Sequence, residues 1–343
     1  MTPLLSIYIP TFNRANMLKS AIFSLIPQIK KTGDLVELII SDNYSTDHTQ
    51  QVVEWGKQHI PIRYFKNPRN MGFTYNLIKP ISENALGEFG WIIGDDDIVI
   101  ETAVNVILNI IRSNETFDYF FVNNVSMEYN NQTGELTTAK DFPEWTTVIC
   151  DDLTNQSVKY WEEIITFSKI EALFSSMVQH IFRLSKWREN THIISDQEIY
   201  QAEKTPFYSF STTFPHSCII AKMMIGKPAF YIGAPQIIQL GGHQEWDSLW
   251  GALLIAQVLE LSDYFEELGA IKKYIDMYRN LIFRASSRIF YNLWTTPDSP
   301  GREYVSIKSL VWRYWKYPRF WEMVFSIPAS IMKKQISQIF TNS

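Results

Sequence analysis

The chain has 343 residues, 46% of them hydrophobic and 15% aromatic, with a formal net charge of −5. That is ample for a sizeable core in one large domain or two smaller ones, and the acidic balance argues against a strongly basic nucleic-acid binder. Two cysteines, Cys150 and Cys218, exclude a disulfide framework or a zinc cluster and fit a reducing compartment.

The first half alternates strand and helix. Leu5–Ile9 is a short apolar run rich in β-formers, and Ala15–Ile29 follows with Met17, Leu18, Ala21, Ile22 and Leu25 on one helical face. Asn13 or Asn16 can cap that helix. Val36–Ile40 is a second strand, and Thr46–Trp55 a second helix begun by Ser45 or Asp47. Ile62–Phe65 is a third strand, then comes a helix over Asn76–Asn84 interrupted by Pro80. Phe89–Ile93 reads as a strand, Ile98–Arg112 as an amphipathic helix and Phe117–Val122 as a strand. Such alternation predicts a mostly parallel sheet with helices on both faces, whose ligands bind beyond the carboxyl ends of the strands.

The second half is less regular. Asn123–Ser157 is polar and reads as a long excursion with some β-structure. Tyr160–Phe174 looks helical, Met177–Phe182 extended, Cys218–Ile225 helical, and Phe230–Ile232 and Gln236–Leu240 extended. Trp250–Leu268 and Ile271–Trp294 are helical, with Thr295–Gly301 as a linker. Met1–Leu5 has no basic n-region and the apolar run Leu4–Ile9 stops at Pro10, so no secretory signal is expected. No stretch reaches the roughly 20 apolar residues of a membrane span, so a soluble or peripheral protein on the cytosolic side is expected.

Four segments can carry chemistry. Asp95-Asp96-Asp97 directly follows a buried strand, where packed carboxylates repel one another and burial penalises their charge. A bound Mg²⁺ or Mn²⁺ removes both problems, and the alternative is a solvated acidic turn. Asp42 lies in the turn at the carboxyl end of the second strand, where it can accept hydrogen bonds from a base or a ribose hydroxyl; Asp47 reads as a helix cap. Pro10-Thr11-Phe12-Asn13-Arg14 joins the first strand to the first helix, a setting that suits a diphosphate. In Asn67-Pro68-Arg69-Asn70-Met71-Gly72, Gly72 permits close backbone approach to a ligand.

In order and spacing these segments resemble the family 2 glycosyltransferases of the GT-A fold. The family's opening Pro-Thr-x-Asn-Arg-like turn matches Pro10–Arg14, its Asp-x-x-Ser-x-Asp segment Asp42–Asp47, its Asn-x-Gly turn Asn70–Gly72, and its Asp-x-Asp motif Asp95–Asp97. The resemblance covers residues 4–100 and implies a GT-A domain over 1–245, with a nucleotide-sugar-binding half (1–125) and an acceptor half (126–245). A helical extension (246–300) and a basic, aromatic segment (301–343) follow.

By the same resemblance, Thr11, Asn13 and Arg14 line the nucleotide pocket, Asp42 contacts the base, Asp95 lies beside the ribose and diphosphate, and Asp97 binds a divalent Mn²⁺ or Mg²⁺. Pro10, Arg69, Asn70, Gly72 and Asp96 join the lining of that site. The metal neutralises the leaving nucleoside diphosphate. The family's general base is usually an Asp in a Glu-Asp pair before a helix in the second half, and this chain departs from that pattern. Thr213-Phe214-Pro215-His216-Ser217 stands there, so His216 becomes the candidate base or, alternatively, a structural or acceptor-contacting histidine. Asp196 and Glu198 are the reserve candidates, and the resemblance implies an inverting outcome. His243, after two glycines, is a candidate metal or diphosphate ligand or a plain loop residue.

Beyond residue 301, Arg302, Lys308, Arg313, Lys316, Arg319, Lys333 and Lys334 alternate with Trp312, Tyr314, Trp315, Tyr317, Phe320, Trp321 and Phe325. That mixture suits a membrane interface, and the alternative is a helix packing its aromatics onto the core. The membrane reading implies peripheral attachment to the cytoplasmic face of the inner membrane and a lipid-linked glycan acceptor, as in relatives that build O-antigen or capsule units on polyprenyl diphosphate. The Phe-Pro-His element is similar to abequosyltransferase-like members of the family, which use CDP-sugars. The donor's base stays open among UDP, CDP, dTDP and GDP. A catalytically silent nucleotide-sugar-binding protein of the same fold is the competing reading. A nucleotidyltransferase is disfavoured because no Gly-rich phosphate loop with a Lys precedes the first helix.

Overall fold

Leu5–Thr11 (β1) and Val36–Asp42 (β2) are buried along their whole length. Their apolar side chains alternate between two cores: Ile7, Ile9, Leu38 and Ile40 face one, Tyr8 and Ile39 the other. Strands covered on both faces read as continuous apolar runs, which is why the sequence reveals them. The computed structural model describes residues 2–128, 147–168, 170, 173–241, 247–296 and 298–325.

In chain order β1 leads to α1 (Ala15–Thr32), β2, α2 (Thr49–Lys57), β3 (Ile62–Lys66), α3 (Phe73–Asn84), β4 (Phe89–Ile92), β5 (Ile98–Val99), α4 (Ala103–Ser113) and β6 (Tyr119–Glu128). Then come β7 (Thr147–Val148), β8 (Gln156–Val158), β9 (His180–Arg183), α5 (Leu184–Asn190), α6 (Asp196–Lys204), α7 (Phe210–Thr213), α8 (Pro215–Met224) and β10 (Ala229–Gly241). The extension is α9 (Trp250–Leu253), a π turn (Leu254–Val258), α10 (Leu259–Glu267), α11 (Lys272–Thr295), α12 (Ile307–Tyr314) and α13 (Pro318–Phe325). The sheet order is β3-β2-β1-β4-β9-β6-β10-β5. β3, β2, β1 and β4 are parallel, as are β6 and β10, while β9 runs antiparallel between β4 and β6. The expected mixed, mostly parallel sheet flanked by helices is what the structure has.

One core lies under α1, α2 and α4; the other continues from the sheet through α3, α5 and α8 into α9–α13. The C-terminal helices bury Leu310, Tyr314, Tyr317, Phe320, Met323 and Val324, while Trp312, Trp315 and Phe325 stay exposed. The reading in which the tail packs aromatics onto the core describes the buried ones, and residues beyond 325 lie outside the described residues.

Several expectations need correction. The helix expected over Ile98–Arg112 begins at Ala103, because Ile98 and Val99 pair antiparallel with Ile238 and Ile237 and Thr102 turns the chain at φ 79°. Within Tyr160–Phe174 the described residues hold a 3-10 turn over Trp161–Phe167, ended where Ser168 bridges to Cys150. Met177–Gln179 is likewise a 3-10 turn, and the Trp91 indole donates to the Val178 carbonyl (2.7 Å). The two extended pieces around residue 233 are one strand with a register shift between Ile232 and Ile237. Gly233 is needed there, since a Cβ would come within 2.4 Å of the Leu153 carbonyl carbon.

Pro80 does not interrupt α3, which starts at Phe73 and runs through it. A proline leaves the carbonyl four residues earlier without its helical donor. That carbonyl is Asn76's, and the Tyr8 hydroxyl from β1 donates to it instead.

Candidate functional site

The chain runs outward from β1 to β2 and β3, then returns to place β4 on β1's other side. Strand order thus reverses at β1, and the loops leaving the carboxyl ends of β1, β2 and β4 meet at the edge where open sheets of this kind have their ligand crevice. Thr11 and Asp42, the last residues of β1 and β2, are register partners, and Asp95 follows β4 by three residues.

Two loops lock together at the crevice. Asn13, at φ 54°, donates its backbone N–H to the Ser45 hydroxyl (2.8 Å) and accepts from the Thr46 N–H (2.8 Å). The Asp47 carboxylate accepts from Ala15 N–H (3.0 Å) and from the Thr49 N–H and hydroxyl (3.0 and 2.6 Å), so one side chain caps α1 and α2 together. Partial burial opposes its charge, but the bonds from Thr49 and Ala15 outweigh this and hold the carboxyl below its usual range. The helix-capping role expected of Asp47 is present, with a second helix added to it. Neither Asn13 nor Asn16 caps α1 through its side chain.

Asp95, Asp96 and Asp97 are nearly buried, at 5%, 8% and 2% exposure. Thr11 donates its hydroxyl to Asp95 (2.7 Å), and Arg14 reaches Asp95 (3.3 Å) and Asp96 (3.1 Å). Burial, then the charge of Asp96, pushes the Asp95 carboxyl up to about 7 against the pull of Arg14 and Thr11. Burial, then the charge of Asp96, also drives Asp97 well above the usual carboxylate range. One Asp97 oxygen accepts the Gly94 N–H (2.6 Å); the other is buried and accepts no hydrogen bond. A Cβ on Gly94 would sit 2.5 Å from Asp96 Oδ1 and 2.6 Å from Asp97 Oδ2, so only glycine fits beneath the cluster.

These residues fit a divalent cation. Among the described residues the Arg14 guanidinium pairs with Asp95 and Asp96, burial makes the carboxylates costly to ionise, and one buried Asp97 oxygen has no partner. Among the described residues no group of three His, Cys, Asp or Glu side chains forms a ready-made cage. Mg²⁺ is commonly held by one or two carboxylates together with substrate phosphates and water, which is what such a partial set provides. His243 lies outside the described residues.

Asp42 is fully buried and well partnered. It accepts from Ser45 N–H (2.6 Å) and the Tyr64 hydroxyl (2.5 Å), with the Lys66 ammonium at 3.8 Å. Next to it Asn43 donates to Asn70 (2.8 Å) and accepts from Met71 N–H (2.9 Å) and Asn67 (3.0 Å), while Asn67 also donates to Asn76 (3.1 Å). Asn70 thus belongs to an amide network that shapes the loop before α3. Arg69 pairs with Glu203 of α6, and Gly72, at φ 81°, lets that loop approach α6: a Cβ there would lie 3.1 Å from Glu203 Cα. Pro10 is buried within β1.

His216 and Asp196 have contrasting settings. α8 begins at Pro215, three residues before the expected Cys218, which puts His216 in the buried first turn. Its Nε2 meets the Ser175 carbonyl (3.1 Å), its Nδ1 has no partner, and burial pushes its pKa down to about 4. The His180 ring is 5.7 Å away; its Nδ1 contacts the Tyr119 hydroxyl (2.5 Å) and its Nε2 is unpartnered. Asp196 opens α6 with its side chain 88% exposed and paired to Lys79 (2.7 Å), which, more than its small desolvation, holds its carboxyl below the usual range. Glu198 completes a capping box with Ser195 and accepts from Ser211 (2.9 Å).

Tyr64, Lys66, Asn43 and His180 are absent from the sequence-based candidates, because they reach the site only through strand pairing and loop closure. Tyr44 is absent too; it is exposed in left-handed backbone (φ 72°) beside Asp42, with the Lys66 ammonium 5.6 Å from its ring. Such a conformation in a bulky residue is a signal that only coordinates carry.

Comparison with known proteins agrees with this geometry. Residues 6–182 match Glycosyl transferase family 2. The chain is 35% identical over 106 residues to abequosyltransferase RfbV of Salmonella typhimurium, covering 30% of this chain and 31% of that protein. It is 32% identical over 137 residues to the GalNAc(5)-diNAcBac-PP-undecaprenol beta-1,3-glucosyltransferase of Campylobacter jejuni, covering 39% and 42%. The chain thus spans less than half the length of these curated relatives. Among solved structures, S. aureus TarS 1-349 superposes with a TM-score of 0.56 at 14% identity, over 95% of this chain and 82% of that one. The mannosyltransferase PcManGT of Pyrobaculum calidifontis, in complex with GDP-Man and Mn²⁺, gives 0.50 at 11% identity, over 100% and 89%. Those two likenesses are of fold, the GT-A architecture, and with the match over residues 6–182 the chain belongs to glycosyl transferase family 2.

Proposed function

We propose that the protein transfers a sugar from a nucleoside-diphosphate donor to a lipid-linked glycan on the cytoplasmic face of the inner membrane, with inversion. The observation that carries this reading is the buried Asp95–Asp97 cluster at the reversal of strand order, with its unused Asp97 oxygen. Asp97, with Asp95 beside it, would hold Mn²⁺ or Mg²⁺, and His243 is a further candidate ligand. Such an ion, when bound, offsets the negative charge that builds on the departing diphosphate. Arg14 and Thr11 orient Asp95, and Arg14 adds positive charge beside the phosphates. Asp42, fixed by Tyr64 and Ser45, forms the wall at the base end, with Asn13, Asn70 and Gly72 shaping the floor.

For the acceptor's proton the chain offers His216. It is neutral at physiological pH and has an unpartnered Nδ1, whereas Asp196 is exposed and engaged with Lys79. A base with so low a pKa takes up a proton weakly, so its main contribution is to aim the acceptor hydroxyl and accept its hydrogen bond. The lipid-linked acceptor is inferred from the glucosyltransferase relative, whose name specifies an undecaprenol diphosphate glycan, and a role in O-antigen or capsule assembly rests on the same likeness. Burial of His216, with no Glu-Asp pair before α8, favours a second reading: a binder of nucleotide sugars without turnover.

A thermal-shift screen of UDP, CDP, dTDP and GDP with Mn²⁺ identifies the base, because a ligand of the native state raises the midpoint by mass action. Incubation with the matching nucleotide sugar should then release nucleoside diphosphate. Binding without any release supports the silent reading, and release of pyrophosphate points to nucleotidyl transfer.

A further inference from the structure

The most exposed large apolar side chains among the described residues are Trp312 (83%), Phe325 (66%) and Trp315 (61%), on two consecutive C-terminal helices and the turn between them. Lys308, Trp312, Trp315 and Lys316 stand at i, i+4, i+7 and i+8, one stripe along α12 and its end. The Trp321 indole donates to the Trp315 carbonyl (2.6 Å) and its ring stacks on Phe325 (5.7 Å between centroids), which carries the aromatic surface onto α13. Between residues 307 and 325 there are four cations (Lys308, Arg313, Lys316, Arg319) and one acid, Glu322, in a chain whose net charge is −5. Arg319 pairs with Glu322 and Arg313 with Glu260, while Lys308 and Lys316 flank the exposed tryptophans, the Lys316 ammonium 5.5 Å from the Tyr317 ring.

This surface is rigidly mounted. Arg279 of α11, 2% exposed, donates to Asp263 (2.5 Å), Glu266 (2.6 Å) and the Tyr317 hydroxyl (2.7 Å), and Tyr314 donates to Asp263 (2.7 Å). The helices cannot turn their tryptophans inward without breaking that buried node.

We propose that the outward face of α12 and α13 is a docking surface for anionic lipid headgroups, which lays the protein on a bilayer with Trp312 and Trp315 at the interface. Tryptophan rings favour the boundary between headgroups and acyl chains, and nearby lysines favour an anionic leaflet. A protein partner is less suited, because lysine is depleted at the centre of protein interfaces, and a second copy would set these cations against each other. No described helix is long and apolar enough to cross a membrane, so docking is in the plane of the surface.

The test is flotation of the full chain with phosphatidylcholine vesicles and with vesicles containing phosphatidylglycerol. Neither arm uses transfer activity, so failure here is separate from failure of the transferase reading. The wild type should float with the anionic vesicles and much less with the zwitterionic ones. Lys308→Gln with Lys316→Gln should weaken binding about 25-fold, from about fivefold per cation at such a surface. Trp312→Ala with Trp315→Ala should abolish flotation without changing the thermal midpoint. Equal flotation of wild type and the tryptophan variant overturns the proposal, as does a wild type that never floats. So does a concentration-dependent dimer that the tryptophan variant abolishes.

Discussion

The loops around Asp42 and Asp95 and the buried histidines His180 and His216 lie at the same end of the sheet but are finished differently. In those loops nearly every polar side chain has a partner within the protein: Asn13 with Thr46, Asp47 with two helices, Asp42 with Tyr64. Around the histidines, buried His180 Nε2, His216 Nδ1 and Gln179 Oε1 have none. The first region is held by bonds within the protein, with the second Asp97 oxygen as its exception. The second keeps several buried polar atoms without a partner, a cost the first largely avoids.

The sharpest way to break this contrast is Asp97→Asn. If that oxygen holds a cation, metal-dependent turnover should fall on the order of a thousandfold, a loss typical of removing a principal charge stabiliser. The thermal midpoint without metal should hold or rise, because the substitution removes a carboxyl whose ionisation is opposed by burial and by Asp96. Turnover at the wild-type rate with Mn²⁺ would remove Asp97 from the metal site.

His216→Asn probes the other region. Turnover should drop about tenfold, the scale of one lost hydrogen bond to the acceptor hydroxyl, while donor affinity stays put. There is a pH signature as well. His216 is held near 4, below its unfolded value of about 6.5, so the unfolded chain binds the extra proton. The stability its neutral form supports is complete above about pH 6.5 and is lost as pH falls toward 4. The asparagine variant should lose less stability over that window, read from thermal midpoints; an unchanged acid profile would show that the ring titrates freely.

A smaller effect is expected from Asp47→Ala, which uncaps α1 and α2 together. One lost cap costs about 1 kcal/mol, so a loss of about 2 kcal/mol in denaturant unfolding fits a double cap. Its carboxyl lies below the usual range, so this contribution is full at neutral pH and fades as pH falls through that lowered value. A loss no larger than that of Ser195→Ala, which uncaps α6 alone, would argue against shared capping.

Much of the crevice was legible because apolar strand runs fix where each strand ends, and Thr11, Asp42 and Asp95 sit at or just past such ends. The spacing of Pro10–Arg14 through Asp97 carried the rest. Legibility failed where long-range contacts overrode local pattern. Ile98 and Val99 fit the helical periodicity of Ala103–Arg112, yet they cover the β10 edge. Tyr64 reads as an ordinary strand residue and becomes the clamp on Asp42. His216 stood before an expected helix, but Pro215 at the first helical position drew the histidine into the buried turn.

The bond from Tyr8 to the Asn76 carbonyl has a consequence for how this sequence can drift. Pro80 removes a donor from the backbone of α3, and a hydroxyl from another element replaces it. Phenylalanine at position 8 would strand a carbonyl in the core for as long as the imino acid remains, whereas alanine at position 80 would restore the ordinary helical donor and make the phenol dispensable. The two positions, far apart along the chain, are therefore bound to change in one order only: the ring at 80 first, the hydroxyl at 8 afterwards.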